Sequence, residues 1–340
     1  LNNLIHGTDA KGNVTQIAYD TLGRKLSMDD PDMGHWEYRF DAVDNLNSQA
    51  DARGVTINFT YDALNRLTRK GYVLPPASSL EPTAPVSYSY DDPTKPVSIG
   101  KLTGITDGSG SSSFEYDNLG PLVKESKTID GTTYTIQRTY DLLGRLASLT
   151  YPDNEVVTYT YNTQGGIETV SLQPPASSLQ PIVTNVDYNA AGQIRKIAYG
   201  NGVVTDYSYN PLTLRLDQLL TTGSTGILQD FRYTFDPVGN VAQIQDLVHT
   251  GTQSFQYDAL NRLTQAVGSY GAFSYRYDSI GNMTSKEGVT MSYGLADGTK
   301  PHAVTSTSSG WTMQYDANGN LIKKTMDYRL WTMDLTAQHL

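Results

Sequence analysis

The sequence has 340 residues, a formal net charge of -10 and no Cys, with 18% charged and 38% hydrophobic residues. This excludes disulfides, thiolate metal sites and Cys nucleophiles, and it argues against nucleic acid or an anionic membrane as partner, because phosphate binding needs clustered Lys and Arg. No apolar run is long enough to span a bilayer, and the 24 Tyr, 7 Phe and 30 Gly suit an all-β chain of many short strands.

The chain opens at Leu1-Asn2-Asn3-Leu4 without an initiator Met or a signal-like segment, so it reads as a piece of a longer polypeptide. From Tyr19 onward an aromatic residue followed by Asp or Asn recurs at Phe40, Tyr61, Tyr90, Tyr116, Tyr140, Tyr161, Tyr188, Tyr209, Phe235, Tyr257, Tyr277 and Tyr315. Tyr293, followed by Gly294, reads as a decayed copy, which gives a single array over 1–340 of about 14 units of 16–29 residues. Residues 321–340 read as a degenerate terminal repeat, with a last trace at Met333-Asp334.

Before each marker the apolar residues alternate, as in Trp36, Tyr38, Phe40 and Phe273, Tyr275, Tyr277. Period two predicts strands with one aromatic face. Four residues after the marker stands a residue that tolerates a left-handed backbone, and an apolar residue then begins the return strand. The motif is Tyr19, Asp20, Gly23; Tyr61, Asp62, Asn65, Leu67; Tyr140, Asp141, Gly144, Leu146; Phe235, Asp236, Gly239; Tyr257, Asp258, Asn261, Leu263; Tyr277, Asp278, Gly281; and Tyr315, Asp316, Gly319. It predicts a hairpin closed by a type I turn with a bulge, in which the Asp accepts loop amides. Thr94 and Thr213 break the rule at the left-handed position, so altered loops are expected in the units of Tyr90 and Tyr209.

Two Pro-rich inserts, 74–86 and 173–182, share the run Pro-Pro-Ala-Ser-Ser-Leu, after Leu74 in the first and Gln173 in the second, and are expected to leave the sheet as exposed loops, as spacers at its margin or as docking loops. Repetition of the marker Asp argues for structure rather than acid/base chemistry. The densest acidic cluster, Asp29-Asp30-Pro31-Asp32, reads as a solvated turn rather than a cation site. His6, His35, His249, His302 and His339 lack zinc-ligand spacing, and the Ser-rich stretches at 109–113 and 306–310 lack a strand-to-helix setting. No cofactor, metal or catalytic residue is expected.

The heptads at Tyr61–Leu67, Tyr140–Leu146 and Tyr257–Leu263, together with Lys300-Pro301-His302-Ala303-Val304-Thr305, resemble the RHS/YD-repeat family across nearly the whole chain. The resemblance implies a long antiparallel sheet of repeated β-hairpins that curls into a spiral shell or open half-pipe, as in insecticidal toxin complex C subunits, polymorphic toxins and teneurins. It implies a non-enzymatic shell segment, secreted or at the cell surface as part of a larger bacterial protein, that encapsulates or presents a toxin or effector encoded elsewhere in the parent polypeptide. The implied partners are neighbouring RHS repeats or a toxin-complex subunit at exposed sheet edges, and the parent's C-terminal effector. The alternative is a surface adhesion or carbohydrate-binding array, with glycans as ligands of the aromatic faces. Bacterial shells usually end in an Asp-Pro-x-Gly region associated with self-cleavage; the only such tetrad here, Asp236-Pro237-Val238-Gly239, lies inside an ordinary repeat and reads as a loop. About 28 strands at about 4.8 Å make a ribbon about 130 Å long, and open twisted sheets rarely exceed about 10 strands without curling. One turn of the whole ribbon would be about 40 Å across by that spacing, so a useful cavity needs most of the chain per turn.

Overall fold

A computed structural model describes residues 3–76 and 84–327. The fold is all-β: 29 strands lie among the described residues, from His6–Thr8 to Leu321–Met326, with no α-helix. Every marker residue ends one strand, and the return strand pairs with it antiparallel. One side of the ribbon therefore carries the marker loops and the other carries the turns between successive hairpins. Two compact units are present, Leu1–Ser87 with Phe273–Leu340, and Tyr88–Ala272.

In the first unit the strand Gly34–Phe40 shows how the residue pattern makes the sheet. Trp36, Tyr38 and Phe40 are half-buried while His35, Glu37 and Arg39 are exposed. Trp311–Tyr315 alternates in the same sense. Both units carry cross-strand hydroxyl pairs, such as Thr312 with Thr325 at 2.7 Å in the first, and Thr139 with Ser148 at 2.6 Å and Thr160 with Thr169 at 2.7 Å in the second. Such pairs stabilise neighbouring strands by about 0.2–1 kcal/mol each.

A single sheet layer buries little completely. Among the described residues the buried apolar side chains are Val55, Val186 and Ala266, and no large side chain is fully buried. Cohesion is spread over many half-buried rings, each contributing roughly 1 kcal/mol, about half of what full burial gives.

Beside most markers the register slips by one residue, as where Tyr140 pairs with Leu146 but Thr139 pairs with Ser148. The extra residue is a β-bulge, which strengthens local twist. The second Pro-rich insert is shorter than 173–182, since one strand runs through Gln173 and the next begins at Gln180. Pro181 is accommodated beside a register shift, where its missing N–H breaks no regular ladder. In the first insert, 77–83 lie outside the described residues, and Val86 already belongs to the strand Val86–Tyr90. Of the expected terminal repeat, Leu321–Met326 forms a strand paired with Trp311–Tyr315, while 328–340, including Met333-Asp334 and His339, lie outside the described residues.

Candidate functional site

The marker loop is the recurring site, and Tyr140–Leu146 displays its construction. The Asp141 amide donates to the Arg145 carbonyl at 2.9 Å and the Gly144 amide donates to the Asp141 carbonyl at 3.0 Å. One carboxylate oxygen of Asp141 accepts the amides of Leu143 (2.9 Å) and Arg145 (3.0 Å); the other accepts Arg145 Nε at 2.7 Å. Gly144 closes the turn at φ 76°, a left-handed conformation that costs other residues about 1–2 kcal/mol. Asp20, Asp62 and Asp258 hold Arg24, Arg66 and Arg262 in the same way. Asp41, Asp236, Asp278 and Asp316 take an Asn amide instead, from Asn45, Asn240, Asn282 and Asn320.

Where Asn replaces Asp, its partner changes too. Asn162 is followed four residues later by Gly166, and Asn189 Nδ2 donates to Gln193 Oε1 at 3.0 Å. In these loops a carboxylate faces a donor and the Asn189 amide an acceptor, as their hydrogen-bonding inventories require, while Asp117, followed four residues later by Pro121, accepts the loop amides of Leu119 and Gly120. The backbone amides of Arg24, Arg66 and Arg145, with smaller help from their guanidinium groups, hold the Asp20, Asp62 and Asp141 carboxyls below the usual carboxylate range.

The left-handed position falls at Gly23, Asp44, Asn65, Gly120, Gly144, Gly165, Gly192, Gly239, Asn261, Gly281 and Gly319. In the Tyr209 unit it falls at Leu214 (φ 56°), not Thr213, because that loop is one residue longer, with the Asn210 amide donating to the Arg215 carbonyl at 2.8 Å. The Tyr90 unit has a wide loop from Asp91 to Lys101 with positive φ at Asp91, Val97 and Gly100. Asp236-Pro237-Val238-Gly239 forms an ordinary marker loop, its Asp236 amide donating to the Asn240 carbonyl.

Tyr predominates over Phe because its hydroxyl ties neighbouring hairpins together. Tyr61, Tyr116, Tyr140, Tyr161, Tyr188, Tyr209, Tyr257, Tyr293 and Tyr315 donate at 2.7–2.9 Å to a main-chain carbonyl at the start of the preceding return strand: Leu46, Leu102, Leu122, Leu146, Ile167, Ile194, Val241, Met283 and Val304 respectively. The cation of the preceding loop caps the same ring: Arg145 lies 4.3 Å from the Tyr161 centroid, Arg24 5.0 Å from Phe40 and Arg215 5.5 Å from Phe235. Arg145 therefore works twice, locking its own loop through Asp141 and covering the next marker.

Within the first unit, early and late repeats meet along a seam. Lys300, only 5% exposed, donates from Nζ to the carbonyls of Asp32 and Ala317, both at 2.6 Å, and its amide donates to Pro31 O at 2.8 Å. His302 Nδ1 lies 2.6 Å from Asp32 Oδ2. Asn318 Nδ2 donates to Asp51 Oδ2 at 2.7 Å, and Lys11 pairs with Asp278 at 2.5 Å. The seam thus sets marker loops of the late repeats, around Asp278 and Asp316, against between-hairpin turns of the early ones, around Lys11, Asp32 and Asp51.

In the acidic cluster Asp30 accepts the amides of Asp32 and Met33 and the Thr15 hydroxyl, Asp29 pairs with His35, and Asp32 belongs to the seam. No cluster of three or more His, Asp or Glu suited to a metal lies among the described residues. No helix among them is long and apolar enough to cross a membrane.

No protein-family model matches the chain. Toxin subunit YenC1 of Yersinia entomophaga is 36% identical over 126 residues, 32% of this chain and 13% of that protein. Human teneurin-4 is 24% identical over 309 residues, 84% of this chain and 10% of that one. A crystal structure of TcdB2-TccC3 superposes with a TM-score of 0.76 at 19% identity, covering 94% of this chain and 22% of that chain, and the Photorhabdus luminescens Tc holotoxin pore does so with 0.76 at 20% identity, covering 94% and 21%. The chain is thus similar in sequence to toxin subunits and a teneurin, and it shares the fold of the TcdB2-TccC3 structure over nearly its whole length. It spans about a tenth of the length of the curated relatives it matches.

In this repeat array the motif residues are not gathered into one pocket; each set builds its own loop, one hairpin after another. Sequence reasoning missed two features. The Tyr hydroxyl bond has a signal in the excess of Tyr over Phe, but its acceptor is a main-chain carbonyl that no residue type marks. The Lys300 seam joins residues 268 positions apart, and only the Lys-Pro-His triplet hints at it.

Proposed function

We propose that this repeat array is a non-enzymatic wall segment of a bacterial toxin-complex shell, which encloses or presents an effector encoded elsewhere in its parent polypeptide. The observation that carries the reading is the match of 94% of the chain to the TcdB2-TccC3 structure, with the toxin subunit YenC1 as a sequence relative. The chemistry of the residues supports it. The marker carboxylates that recur most regularly are consumed by their own loop amides and by Arg or Asn, so they serve the wall rather than a reaction. A one-layer sheet with two accessible faces and few buried residues suits a partition better than a catalytic pocket, which needs converging polar groups in a concave apolar site.

On this reading the parent protein works outside the producing cell, secreted or at its surface, and the array adjoins other repeats and a toxin-complex subunit. Electron cryo-microscopy of the parent polypeptide is the direct test. Density for the effector inside a wall to which this array contributes is the expected result; an effector tethered outside, or an array folded apart from any wall, would overturn it.

A further inference from the structure

The seam of the first unit differs in kind from the strand ladders beside it. The hydrogen bonds that cross it, Lys11 to Asp278, Lys300 and His302 to Asp32, and Asn318 to Asp51, join positions 267–270 apart, so none belongs to a hairpin. Arg53 Nη1 adds an ion pair to Asp316 at 3.6 Å. Where apolar groups from the two sides face each other, Pro31 and Ala52 against Leu295 and Tyr315, they leave a cavity of about 320 Å³ rather than packing. Polar contacts therefore carry the closure.

Those contacts are weak ones. Lys11 is 41% and Arg53 32% exposed, and exposed ion pairs contribute little and are screened by salt. Lys300 is buried, but both acceptors of its Nζ are neutral carbonyls, so closure strips water from an ammonium without giving it a carboxylate. Opening returns that hydration. The strand Gly34–Phe40, by contrast, is held to Lys25–Asp30 and to Leu46–Ala50 by backbone ladders, whose neutral bonds salt does not screen.

We propose that the seam is a clasp set by ionic strength: at high salt the loops around Asp278, Lys300 and Asp316 part from the turns around Lys11, Asp32 and Asp51, while every hairpin stays folded. This is local opening, which lies below global unfolding in free energy. It concerns the first unit alone and does not rest on the shell reading, so either can fail alone.

Hydrogen exchange of single amides tests it, because two of them cross the seam: the Lys300 amide donates to Pro31 O at 2.8 Å and the His302 amide to Asp32 Oδ1 at 3.0 Å. On the full chain at constant pH, raising NaCl from about 0.1 M to about 1 M shortens the screening length from about 10 Å to about 3 Å. Exchange at Lys300 and His302 is expected to quicken about fivefold, the loss of two exposed pairs. Amides in the ladder between Gly34–Phe40 and Leu46–Ala50 should keep their rates. Lys11→Gln/Arg53→Gln removes both ion pairs, so at about 0.1 M NaCl it should already exchange at the rate wild type reaches at about 1 M, with little further response to salt. The wild-type comparison decides by itself if the circular dichroism of the variant departs from that of the parent. Exchange at Lys300 and His302 that ignores salt, that quickens only together with the ladder amides, or that keeps its full salt response in a folded double variant would overturn the proposal.

Discussion

Removing one marker hydroxyl isolates the bond that joins adjacent hairpins. Tyr209 donates to Ile194 O at 2.7 Å and Tyr257 to Val241 O at 2.9 Å, and burial raises the phenol pKa of both. Tyr→Phe at either site keeps the ring, its half-burial and its strand alternation, and deletes only the donor. A net hydrogen bond contributes about 1 kcal/mol. With a urea slope of about 3 kcal/mol per M for a chain of this size, each substitution should lower the midpoint by about 0.3 M. The two rings lie four strands apart, about 19 Å by the strand spacing. They share no partner, so the double variant should lose about 0.6 M, the sum of the singles. Phe235→Tyr supplies the converse, since its hydroxyl would point at the start of the preceding return strand at Leu216 and should raise the midpoint by a similar amount. Midpoints within about 0.1 M of the parent in all three Tyr→Phe proteins would refute the claim that the hydroxyl couples hairpins, leaving the ring as the sole contribution.

Further expectations concern the loops, the seam and pH. Gly144→Ala meets nothing within 4 Å and should cost only the left-handed strain, about 1–2 kcal/mol, whereas Gly110→Ala would drive its methyl onto the Thr128 carbonyl and should cost distinctly more in a thermal melt. Leu214→Gly relieves a positive φ and should be neutral or stabilising by up to about 1 kcal/mol, while Thr213→Gly only frees the unfolded chain and should destabilise by about 0.5–1 kcal/mol. Lys300→Met leaves the Asp32 and Ala317 carbonyls without their donor and should cost about 2–3 kcal/mol, seen as faster amide exchange around Pro31 and Ala317. Because Asp20, Asp62 and Asp141 have lowered pKa values when folded, they stabilise the fold above the ordinary carboxylate value near 3.9. That contribution is lost as pH falls below this value, so the melting temperature should drop between about pH 4 and pH 2. The Tyr209 and Tyr257 phenols are raised by burial, which gives the opposite arm: stability held below about pH 10 and lost above it. A flat melting temperature across both limbs would contradict these assignments.

The strands were legible because alternation in stretches such as Trp36, Tyr38, Phe40 survives translation into structure: one face of a single layer is half-buried and the other is wet. The loop was legible as a unit because all its bonds are local, from Asp141 to residues no more than four positions away. Arrangements fixed by register or by long sequence separation were not. Thr213 at the usual left-handed position signals an altered loop in the Tyr209 unit, but only the hydrogen bond from the Asn210 amide to the Arg215 carbonyl reveals that the loop is one residue longer and moves the left-handed backbone to Leu214. The Tyr hydroxyl acceptor is a main-chain carbonyl of the neighbouring hairpin, as Leu122 is for Tyr140, and no residue type marks it. The Lys300 seam depends on where repeats hundreds of residues apart come together, which local pattern does not encode.

Protease protection of the parent polypeptide tests the wall reading most directly. Native parent protein is digested alongside its effector part expressed alone, with the Lys300→Met parent as a third sample. A wall predicts that the effector within native parent survives while the isolated part is degraded, and that opening the seam shortens its lifetime. Degradation of the effector at the same rate inside and outside the parent would contradict the account.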